Sequence, residues 1–370
     1  MKQIELKFIM LIDIIAGARP NFMKIAPIIH AIQQAQDKGS KLRYRLVHTG
    51  QHYDKKMSGD FFEQLNIPHP DVNLESGSGT QAEQTAKIMV RYEALLLEKP
   101  CDLTLVVGDV TSTMACSIAA KKLNIKVAHV EAGIRSFDLS MPEEINRMVT
   151  DSITDYYFTT TERANENLAK ASVEKERIFL VGNTMIDTLL KNRSRFIKPQ
   201  IWDELELKET SYIVMTLHRP ANVDEEDKLK GLIQEIVNHS QGIPLVFPIH
   251  PRTAKVFKNL GIAHDNLHLI EPLSYLEFNF LVEKAKAVIT DSGGITEETT
   301  VMGVPCMTLR DNTERPETCD IGTNELLGTD PKSIGPAMAK LFSGNWKKGE
   351  IPNLWDGETA VRIIEWLNKL

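Results

Sequence analysis

The sequence lacks several features that would each have pointed to a particular class of protein. Its 4 cysteines form no C-x-x-C pair, so structural zinc and disulfides are not expected, and a reducing compartment fits. No G-x-G-x-x-G motif opens the chain, which argues against a nicotinamide cofactor. The net charge of −7 argues against a nucleic-acid partner, because phosphate backbones require a basic face. We expect neither a cofactor nor a bound metal.

Long hydrophobic runs are absent as well. The apolar stretch 8–15, followed by Ala16-Gly17-Ala18, imitates a signal peptide with a small-residue cleavage site. Asp13 interrupts that stretch, however, and a buried first strand that opens into a glycine loop explains the residues better. The sequence therefore predicts a cytoplasmic protein with no membrane partner.

The length of the chain and its apolar pattern predict the fold class. At 370 residues the chain is too long for one ordinary core, so two domains are expected. Apolar runs of strand length alternate with longer amphipathic stretches, which predicts parallel sheets covered by helices. The predicted strands are 8–16, 44–49, 103–108, 126–131, 156–160, 178–182, 211–217, 244–249, 267–270, 287–290 and 304–309. We predict an α/β protein with two Rossmann-like, doubly wound domains, residues 1–185 and 200–350, that face a cleft. A last amphipathic helix is predicted over 357–370.

The segment 287–298 is the most informative part of the sequence. An apolar run ends at Ser292-Gly293-Gly294, where a helix is predicted to begin. Glycines allow close approach of the backbone to phosphate oxygens, and a helix start offers unpaired N–H groups and the positive end of a dipole. Glu298 lies four residues after Gly294, on the same helix face, where its carboxylate could accept hydrogen bonds from ribose hydroxyls. The alternative is a glycine turn before a solvated helix.

Basic residues follow other strands of the second half. His218, His250 and Arg315 would give this domain a basic mouth beside the glycine turn. Arginine suits phosphate because its planar fork bonds two oxygens at once. Phe278 could stack on a nucleotide base, although a core phenylalanine is the commoner explanation. The second domain is therefore predicted to bind a nucleoside diphosphate.

Carboxylates follow the strands of the first half. Asp109, Glu131 and Glu143 come from three separate segments at predicted strand ends. Glu143 and Arg147 also have the i, i+4 spacing of an ordinary helical ion pair, which is the competing explanation for that residue. Three acids that converge on one cleft favour either glycosyl transfer or proton chemistry on a bound sugar.

Two basic residues follow the first predicted strand. Arg19 comes directly after Gly17-Ala18, and Lys24 lies about one helical turn further on. This arrangement can meet an anion. The competing explanation is a simple strand-to-helix turn in which Pro20 is a favourable first helical residue.

The complete set of motifs resembles the non-hydrolysing UDP-N-acetylglucosamine 2-epimerase family, in the family's order and over essentially the whole chain. The motifs are Gly17-Ala18-Arg19-Pro20 with Lys24, Gly108-Asp109, His129 to Arg135, Pro142 to Arg147, Asp291 to Gly294, and Thr313 to Glu317. The resemblance implies a GT-B-like fold, a final helix that returns to the first domain, a homodimer, and a place in polysaccharide biosynthesis. It also implies interconversion of UDP-N-acetylglucosamine and UDP-N-acetylmannosamine. In that route UDP is eliminated to give 2-acetamidoglucal and is then added back.

The resemblance also assigns roles to individual residues. The implied UDP ligands are Arg19, His218, Ser292, Gly293, Gly294, Glu298 and Arg315, with His250 beside them and Phe278 near uracil. The implied sugar-binding and proton-transfer residues are Lys24, Asp109, Glu131, Glu143 and Arg147. We expect Asp109 and Glu131 to be the main acid/base pair, with Glu143 next and His218 as a further catalytic residue.

Some segments depart from the pattern of many bacterial members. The segments 51–54 and 76–80 lack part of the glutamine and arginine set that binds a second, activating substrate molecule, so these residues do not predict substrate activation. The segments 136–141 and 217–222 resemble a branch that acts on UDP-2,3-diacetamido-2,3-dideoxyglucuronate, which is the competing substrate. Two different functions also fit a domain that binds a nucleoside diphosphate, namely a GT-B glycosyltransferase and a UDP-sugar-binding regulator.

Overall fold

The structure, a computed structural model, describes residues 9–50, 62–249, 253–254, 256–257 and 260–370, and only the backbone of residues 19 and 220. The chain divides into two compact units. Unit 1 comprises residues 1–191 and 353–370, and unit 2 comprises residues 192–352.

Unit 1 is built around a parallel sheet of seven strands in the order β3-β2-β1-β4-β5-β6-β7. The strands are β1 (Met10–Ala16), β2 (Leu42–His48), β3 (Val72–Asn73), β4 (Leu103–Val107), β5 (Lys126–Val130), β6 (Tyr156–Thr159) and β7 (Ile178–Leu180). The helices are α1 (Arg19–Asp37), α2 (Gln81–Glu98), α3 (Thr111–Lys122), α4 (Pro142–Ile153), α5 (Glu162–Lys170) and α6 (Thr184–Asn192). The central strands are buried on both faces, which explains their nearly continuous apolar sequences.

Unit 2 contains a six-stranded parallel sheet in the order β10-β9-β8-β11-β12-β13. The strands are β8 (Ile213–Thr216), β9 (Leu245–Pro248), β10 (Leu267–Ile270), β11 (Ala287–Thr290), β12 (Cys306–Thr308) and β13 (Asn324–Leu326). The helices are α7 (Gln200–Glu204), α8 (Pro220–Val223), α9 (Glu226–His239), α10 (Tyr275–Lys284), α11 (Gly293–Met302), α12 (Pro316–Asp320) and α13 (Ile334–Phe342). Two apolar clusters, one on each face of this sheet, form its core.

The last helix, α14 (Thr359–Leu367), belongs to unit 1 and packs on α1. Asp187 caps it, because its carboxylate accepts hydrogen bonds from Thr359 N at 3.1 Å and Ala360 N at 2.7 Å. The Trp355 indole, just before this helix, donates to Thr160 O at 3.3 Å. These contacts tie the C-terminal segment to the first sheet. None of the helices among the described residues has the length and apolar character needed to cross a membrane.

The predicted fold class, two parallel-sheet α/β domains, is confirmed. The structure contains all of the predicted strands and adds β3 and β13, which the sequence did not reveal. Both added strands lie at a sheet edge and have only two and three residues. Such short segments carry no measurable periodicity, and their edge position relaxes the requirement for apolar side chains.

The strand order reverses once in each sheet. In unit 1 the reversal lies between β1 and β4, and in unit 2 it lies between β8 and β11. At such a switch point the connections leave the sheet in opposite directions and open a crevice at the carboxyl ends of the strands, where ligands of open α/β sheets bind. The switch points therefore define where candidate functional residues should be sought in each unit.

Candidate active site

Asn21 of α1 fixes the backbone at the switch point of unit 1. Its side-chain Oδ1 accepts hydrogen bonds from Gly17 N and Ala18 N, both at 3.0 Å, and its Nδ2 donates to Val107 O at 3.2 Å. The amide thus fixes the loop after β1 against the end of β4. Arg19, the first residue of α1, directly follows this loop.

Glu131 follows β5 and forms an ion pair with Lys24 of α1. Lys24 Nζ lies 2.7 Å from Glu131 Oε2, and both side chains are largely buried. Gly108 makes this contact possible, because a Cβ at that position would lie 2.9 Å from Lys24 Nζ. The backbone of Glu131 has φ 71°, a left-handed conformation that costs a residue with a Cβ about 1–2 kcal/mol. Such strain persists only where the surrounding structure fixes the residue, as the buried ion pair with Lys24 does here.

Asp109, the next residue after Gly108, is held by two residues of α4. Asn146 Nδ2 donates to its backbone carbonyl at 2.8 Å, and Arg147 Nη2 bonds its carboxylate. The other guanidinium nitrogen, Arg147 Nη1, lies 2.9 Å from Glu144 Oε2. Arg147 and Glu144 are buried, whereas 27% of the Asp109 side chain is exposed. Asp109 is therefore an accessible carboxylate with a fixed position.

A buried cluster of charged residues fixes the turn at Gly108 and Asp109. His129 Nδ1 lies 2.7 Å from Asp151 Oδ1, and His129 Nε2 lies 2.9 Å from Gly108 O. A ring that faces two acceptors donates from both nitrogens, as imidazolium does. Burial alone would raise the pKa of Asp151, but His129 and Arg135 outweigh this effect and hold it below its usual value. The cluster fixes the carbonyl that precedes Asp109.

Glu143, the third predicted acid, lies in the first turn of α4 with an exposed side chain. Its neighbour Glu144 is the buried one. The Glu144 carboxylate accepts hydrogen bonds from Ser136 N at 2.9 Å and Phe137 N at 3.2 Å, as well as from Arg147. Glu144 therefore anchors the loop before α4. The catalytic role of Glu143 stays a prediction.

The switch point of unit 2 contains the start of α11. Ser292 is the N-cap residue, and Gly293 and Gly294 are the first two helical residues. A Cβ on Gly293 would lie 2.8 Å from Glu314 Oε1 and 3.7 Å from Arg310 Nη1. Among the described residues, the buried Arg310 Nη1 has no hydrogen-bond partner, while Nη2 bonds Glu314 Oε2 at 2.6 Å. Glycine is required here because charged side chains pack against the helix start.

His218 follows β8, next to α11. Its Nδ1 lies 2.7 Å from Asp291 Oδ1, and 61% of its side chain is exposed. Asp291 is fully buried, and burial alone would raise its pKa. Hydrogen bonds from His218, Arg219 and Asn222 outweigh this effect and hold the pKa of Asp291 below its usual value. His218 is thus an exposed imidazole on a buried carboxylate.

Glu298 lies one turn into α11, where it is buried. Tyr275 Oη donates to Glu298 Oε1 at 2.8 Å. Burial raises the pKa of Glu298 to about 7, although hydrogen bonds from Tyr275 and Asn279 oppose the shift. Phe278, on the same helix as Tyr275, is half-buried and packs against the unit 2 core.

Arg315 immediately precedes α12 and forms a buried ion pair. Its Nε lies 2.7 Å from Glu297 Oε1. Glu297 is the residue before Glu298, so this pair connects the start of α12 to α11. His250 and the side chain of Arg19 lie outside the described residues.

The structure thus gathers most predicted residues at the two switch points. In unit 1, Lys24 with Glu131 and Asp109 with Arg147 surround the turn at Gly108. In unit 2, Ser292, Gly293, Gly294 and Glu298 lie at or near the start of α11, and His218 follows the adjacent strand β8. Arg315 precedes α12 and Phe278 lies on α10. Sequence reasoning assigned no role to the buried partners of these residues. They are Glu144, Asp151, Tyr275, Asp291 and Glu297. Several of them lie within the sequence motifs, but the sequence does not show which residues of a motif are buried.

A family model described as UDP-N-acetylglucosamine 2-epimerase matches residues 34–368. The chain belongs to this family. The UDP-N-acetylglucosamine 2-epimerase of Methanocaldococcus jannaschii is 40% identical over 369 residues, covering 96% of this chain and 99% of the relative. The UDP-2,3-diacetamido-2,3-dideoxy-D-glucuronate 2-epimerase of Pseudomonas aeruginosa is 37% identical over 360 residues, covering 96% of this chain and 99% of the relative.

The fold is similar to solved members of the family. The crystal structure of M. jannaschii UDP-GlcNAc 2-epimerase in complex with UDP-GlcNAc and UDP superimposes with a TM-score of 0.84 at 40% identity. The match covers 96% of this chain and 100% of that chain. The family predicted from the motifs is confirmed, and with it the enzyme class, since UDP-sugar 2-epimerases are isomerases.

Proposed function

We propose that this protein is a UDP-N-acetylglucosamine 2-epimerase that interconverts UDP-N-acetylglucosamine and UDP-N-acetylmannosamine. The C2 proton of the sugar has no adjacent carbonyl, so its direct removal would be very slow. Departure of UDP solves this problem. As the C2–H electron pair forms the C1=C2 bond of 2-acetamidoglucal, the C1–O electron pair leaves with UDP. Delivery of a proton to the opposite face of C2 and return of UDP to C1 complete the inversion.

The observation that carries this proposal is the pair of acids at the unit 1 switch point. Inversion needs proton transfer at two faces of one carbon, and a glycosyltransferase needs no such second group. Asp109 and Glu131 follow adjacent strands, and each is bonded to a basic residue of a neighbouring helix. A carboxylate bonded to a cation is held in one position, as general acid/base catalysis requires.

Unit 2 would hold the leaving UDP. The N–H groups at the start of α11 and the adjacent His218 suit a diphosphate, and Arg310 Nη1 is a further donor beside Gly293. The buried Glu298 suits the ribose hydroxyls. Phe278 packs against the unit 2 core and is only half-buried, and a contact of its ring with the base stays a prediction. Fixed donors that meet charge as it develops on a leaving group typically contribute about 10²–10³ in turnover each.

The decisive experiment is incubation with UDP-N-acetylglucosamine in deuterium oxide without any acceptor, followed by proton NMR. We expect loss of the C2 proton signal and appearance of UDP-N-acetylmannosamine. A glycosyltransferase or a UDP-sugar-binding regulator would bind the nucleotide without exchanging that proton, and this result would reject the proposal. A parallel incubation with UDP-2,3-diacetamido-2,3-dideoxyglucuronate tests the competing substrate. The relative named for that sugar is less similar, at 37% identity against 40%.

The Glu298→Gln variant is expected to bind UDP more weakly and to be more stable at alkaline pH. The pKa of Glu298 is about 7 in the folded state and near 4.5 when exposed, so the fold favours the neutral form. Stability from that neutral form is therefore lost as pH rises from about 4.5 to about 7. An amide cannot ionise, so we expect the variant to gain on the order of 3 kcal/mol at pH 8, measured by urea unfolding.

The same variant gives a binding prediction of opposite sign. Ribose hydroxyls donate to a carboxylate, so ligand binding favours the ionised form of Glu298. Between pH 6 and pH 8 the calorimetric UDP affinity of the wild type should rise relative to that of Glu298→Gln, which should be lower at pH 8 and lack the contribution of Glu298 ionisation. The remaining titratable groups of protein and ligand are common to both proteins. Equal pH dependence in the two proteins would exclude Glu298 as the ribose ligand. Tyr275→Phe is the matched control, because it removes a donor to Glu298 but leaves the carboxylate.

We further propose that the protein is a homodimer. Apolar side chains on α2 and α4 support this proposal, since Val90 and Leu97 are 65% and 69% exposed and Ile145 and Met148 are about half exposed. Both helices pack against α3. Apolar patches of this kind are typical of association surfaces. The Val90→Asp/Leu97→Asp variant is expected to sediment as a monomer when the wild type sediments as a dimer, and a dimeric variant would rule out this surface. The cytoplasmic location stays a prediction from the sequence.

A further inference from the structure

Asp291 is a fully buried carboxylate at the centre of the unit 2 switch point. It follows β11 and directly precedes Ser292, the N-cap residue of α11. Because β11 pairs with β8 in register, with Thr290 opposite Thr216, the residue also lies beside the turn that carries His218. Burial of an ionised carboxylate is costly unless strong donors surround it.

The donors around Asp291 come mostly from the β8–α8 turn. Backbone N–H groups of His218 and Arg219 lie 3.0 Å and 2.9 Å from Oδ2, and Asn222 Nδ2 lies 3.1 Å from the same oxygen. The other oxygen, Oδ1, is 2.7 Å from His218 Nδ1. One carboxylate therefore fixes both the backbone of the turn and the imidazole ring that the turn presents.

The contact with Oδ1 determines which ring nitrogen of His218 carries a proton. An ionised carboxylate only accepts hydrogen bonds, so Nδ1 must be the donor. Nε2 lies on the opposite edge of the ring, and 61% of the side chain is exposed. The ring is thus held in one rotamer and one tautomer, with Nε2 directed away from Asp291.

We propose that Asp291 is a positioning residue that acts through His218, holding Nε2 toward the diphosphate of the bound nucleotide. The inference rests on the proposed function of unit 2 as the UDP-binding unit. A protonated Nε2 donates a hydrogen bond to a diphosphate oxygen, and the carboxylate behind Nδ1 stabilises the resulting imidazolium. No proton leaves the ring in this role. Asp291 never contacts substrate.

A merely structural role for Asp291 is the competing explanation, because its bonds to His218 N and Arg219 N hold the turn whatever the ring does. A double-mutant cycle separates the two. The Asp291→Asn variant is expected to lower kcat for epimerisation by about 10- to 100-fold, the usual cost of losing an orienting partner, with a smaller change in KM. In the His218→Asn background the same substitution should cause almost no further loss.

Asp187→Asn is the matched control. Asp187 is also a buried aspartate that accepts hydrogen bonds from two backbone N–H groups, but it caps α14 in unit 1. Its substitution is expected to leave kcat unchanged at a temperature where the variant is folded. A fall in kcat equal to that of Asp291→Asn would show that the loss of any buried carboxylate has this effect, and would overturn the inference.

Two further outcomes are decisive. If Asp291→Asn lowers kcat by the same factor with and without His218, the residue acts through the backbone and the inference is wrong. If His218→Asn alone leaves kcat near the wild-type value, the ring has no role in UDP departure, and the inference that Asp291 acts through it is overturned as well. Nitrogen-15 NMR of the wild type needs no variant, and we expect the neutral ring to carry its proton on Nδ1. A proton on Nε2 in that form would also reject the inference.

Discussion

Replacing Glu131 with glutamine is expected to reduce the rate of epimerisation by about 10²–10⁴-fold, the range for loss of a positioned general acid or base. The carboxylate is buried, is bonded to Lys24 Nζ at 2.7 Å, and sits on a backbone with φ 71°. An amide of the same shape keeps the packing and loses the ability to exchange a proton. Deuterium exchange at C2, followed by proton NMR, measures this step directly.

UDP affinity distinguishes a chemical defect from a folding defect in this variant. Apart from Arg19, the proposed UDP ligands lie in unit 2, so calorimetric UDP binding by Glu131→Gln should stay within about threefold of the wild type. Glu166→Gln, an exposed carboxylate of α5, is the matched control and should keep full activity. If Glu131→Gln exchanged the C2 proton at the rate of that control, Glu131 would have no part in proton transfer. Asp109→Asn would then become the leading test of the remaining acid.

The regular parts of the fold follow from the sequence because buried parallel strands must be apolar. The apolar segments that form β4 and β11 are buried throughout. Such segments are not expected in loops, because loops lie on the protein surface. The strands β3 and β13 could not be predicted, since their few residues are stabilised by pairing with β2 and β12 rather than by their own composition. Long-range pairing is a tertiary property that a local pattern does not contain.

In the candidate site, too, some features follow from the sequence and others depend on tertiary structure. Strand ends, glycine turns and charged residues can be read along the chain, and they led to Asp109, Glu131 and the start of α11. The partners of these residues depend on which side chain is buried. Glu143 and Glu144 are adjacent acids in one helix turn, yet only Glu144 is buried and bonded to Arg147 at 2.9 Å. The i, i+4 spacing predicts an ion pair of Arg147 with Glu143. In the structure Arg147 pairs with Glu144 instead, because the orientation of α4 on the sheet buries Glu144.

The Arg147→Ala variant is expected to lose about 3–5 kcal/mol of unfolding free energy, as is usual when one partner of a buried ion pair is removed. The guanidinium lies between Glu144, whose side chain is 1% exposed, and Asp109. Without it the Glu144 carboxylate stays buried beside the backbone N–H groups of the 136–137 loop, but its cationic partner is gone. Urea unfolding followed by circular dichroism measures the loss.

The same substitution should also abolish most of the activity of the molecules that remain folded, because Asp109 loses the fork that positions it. Arg147→Lys separates the two effects. A lysine keeps one positive charge near Glu144 but cannot bond both carboxylates in the fixed geometry of a guanidinium. We therefore expect Arg147→Lys to recover part of the stability and to remain strongly impaired in C2 deuterium exchange. Recovery of wild-type exchange by lysine would mean that charge alone is needed, and that the guanidinium's hold on Asp109 has no role in the reaction.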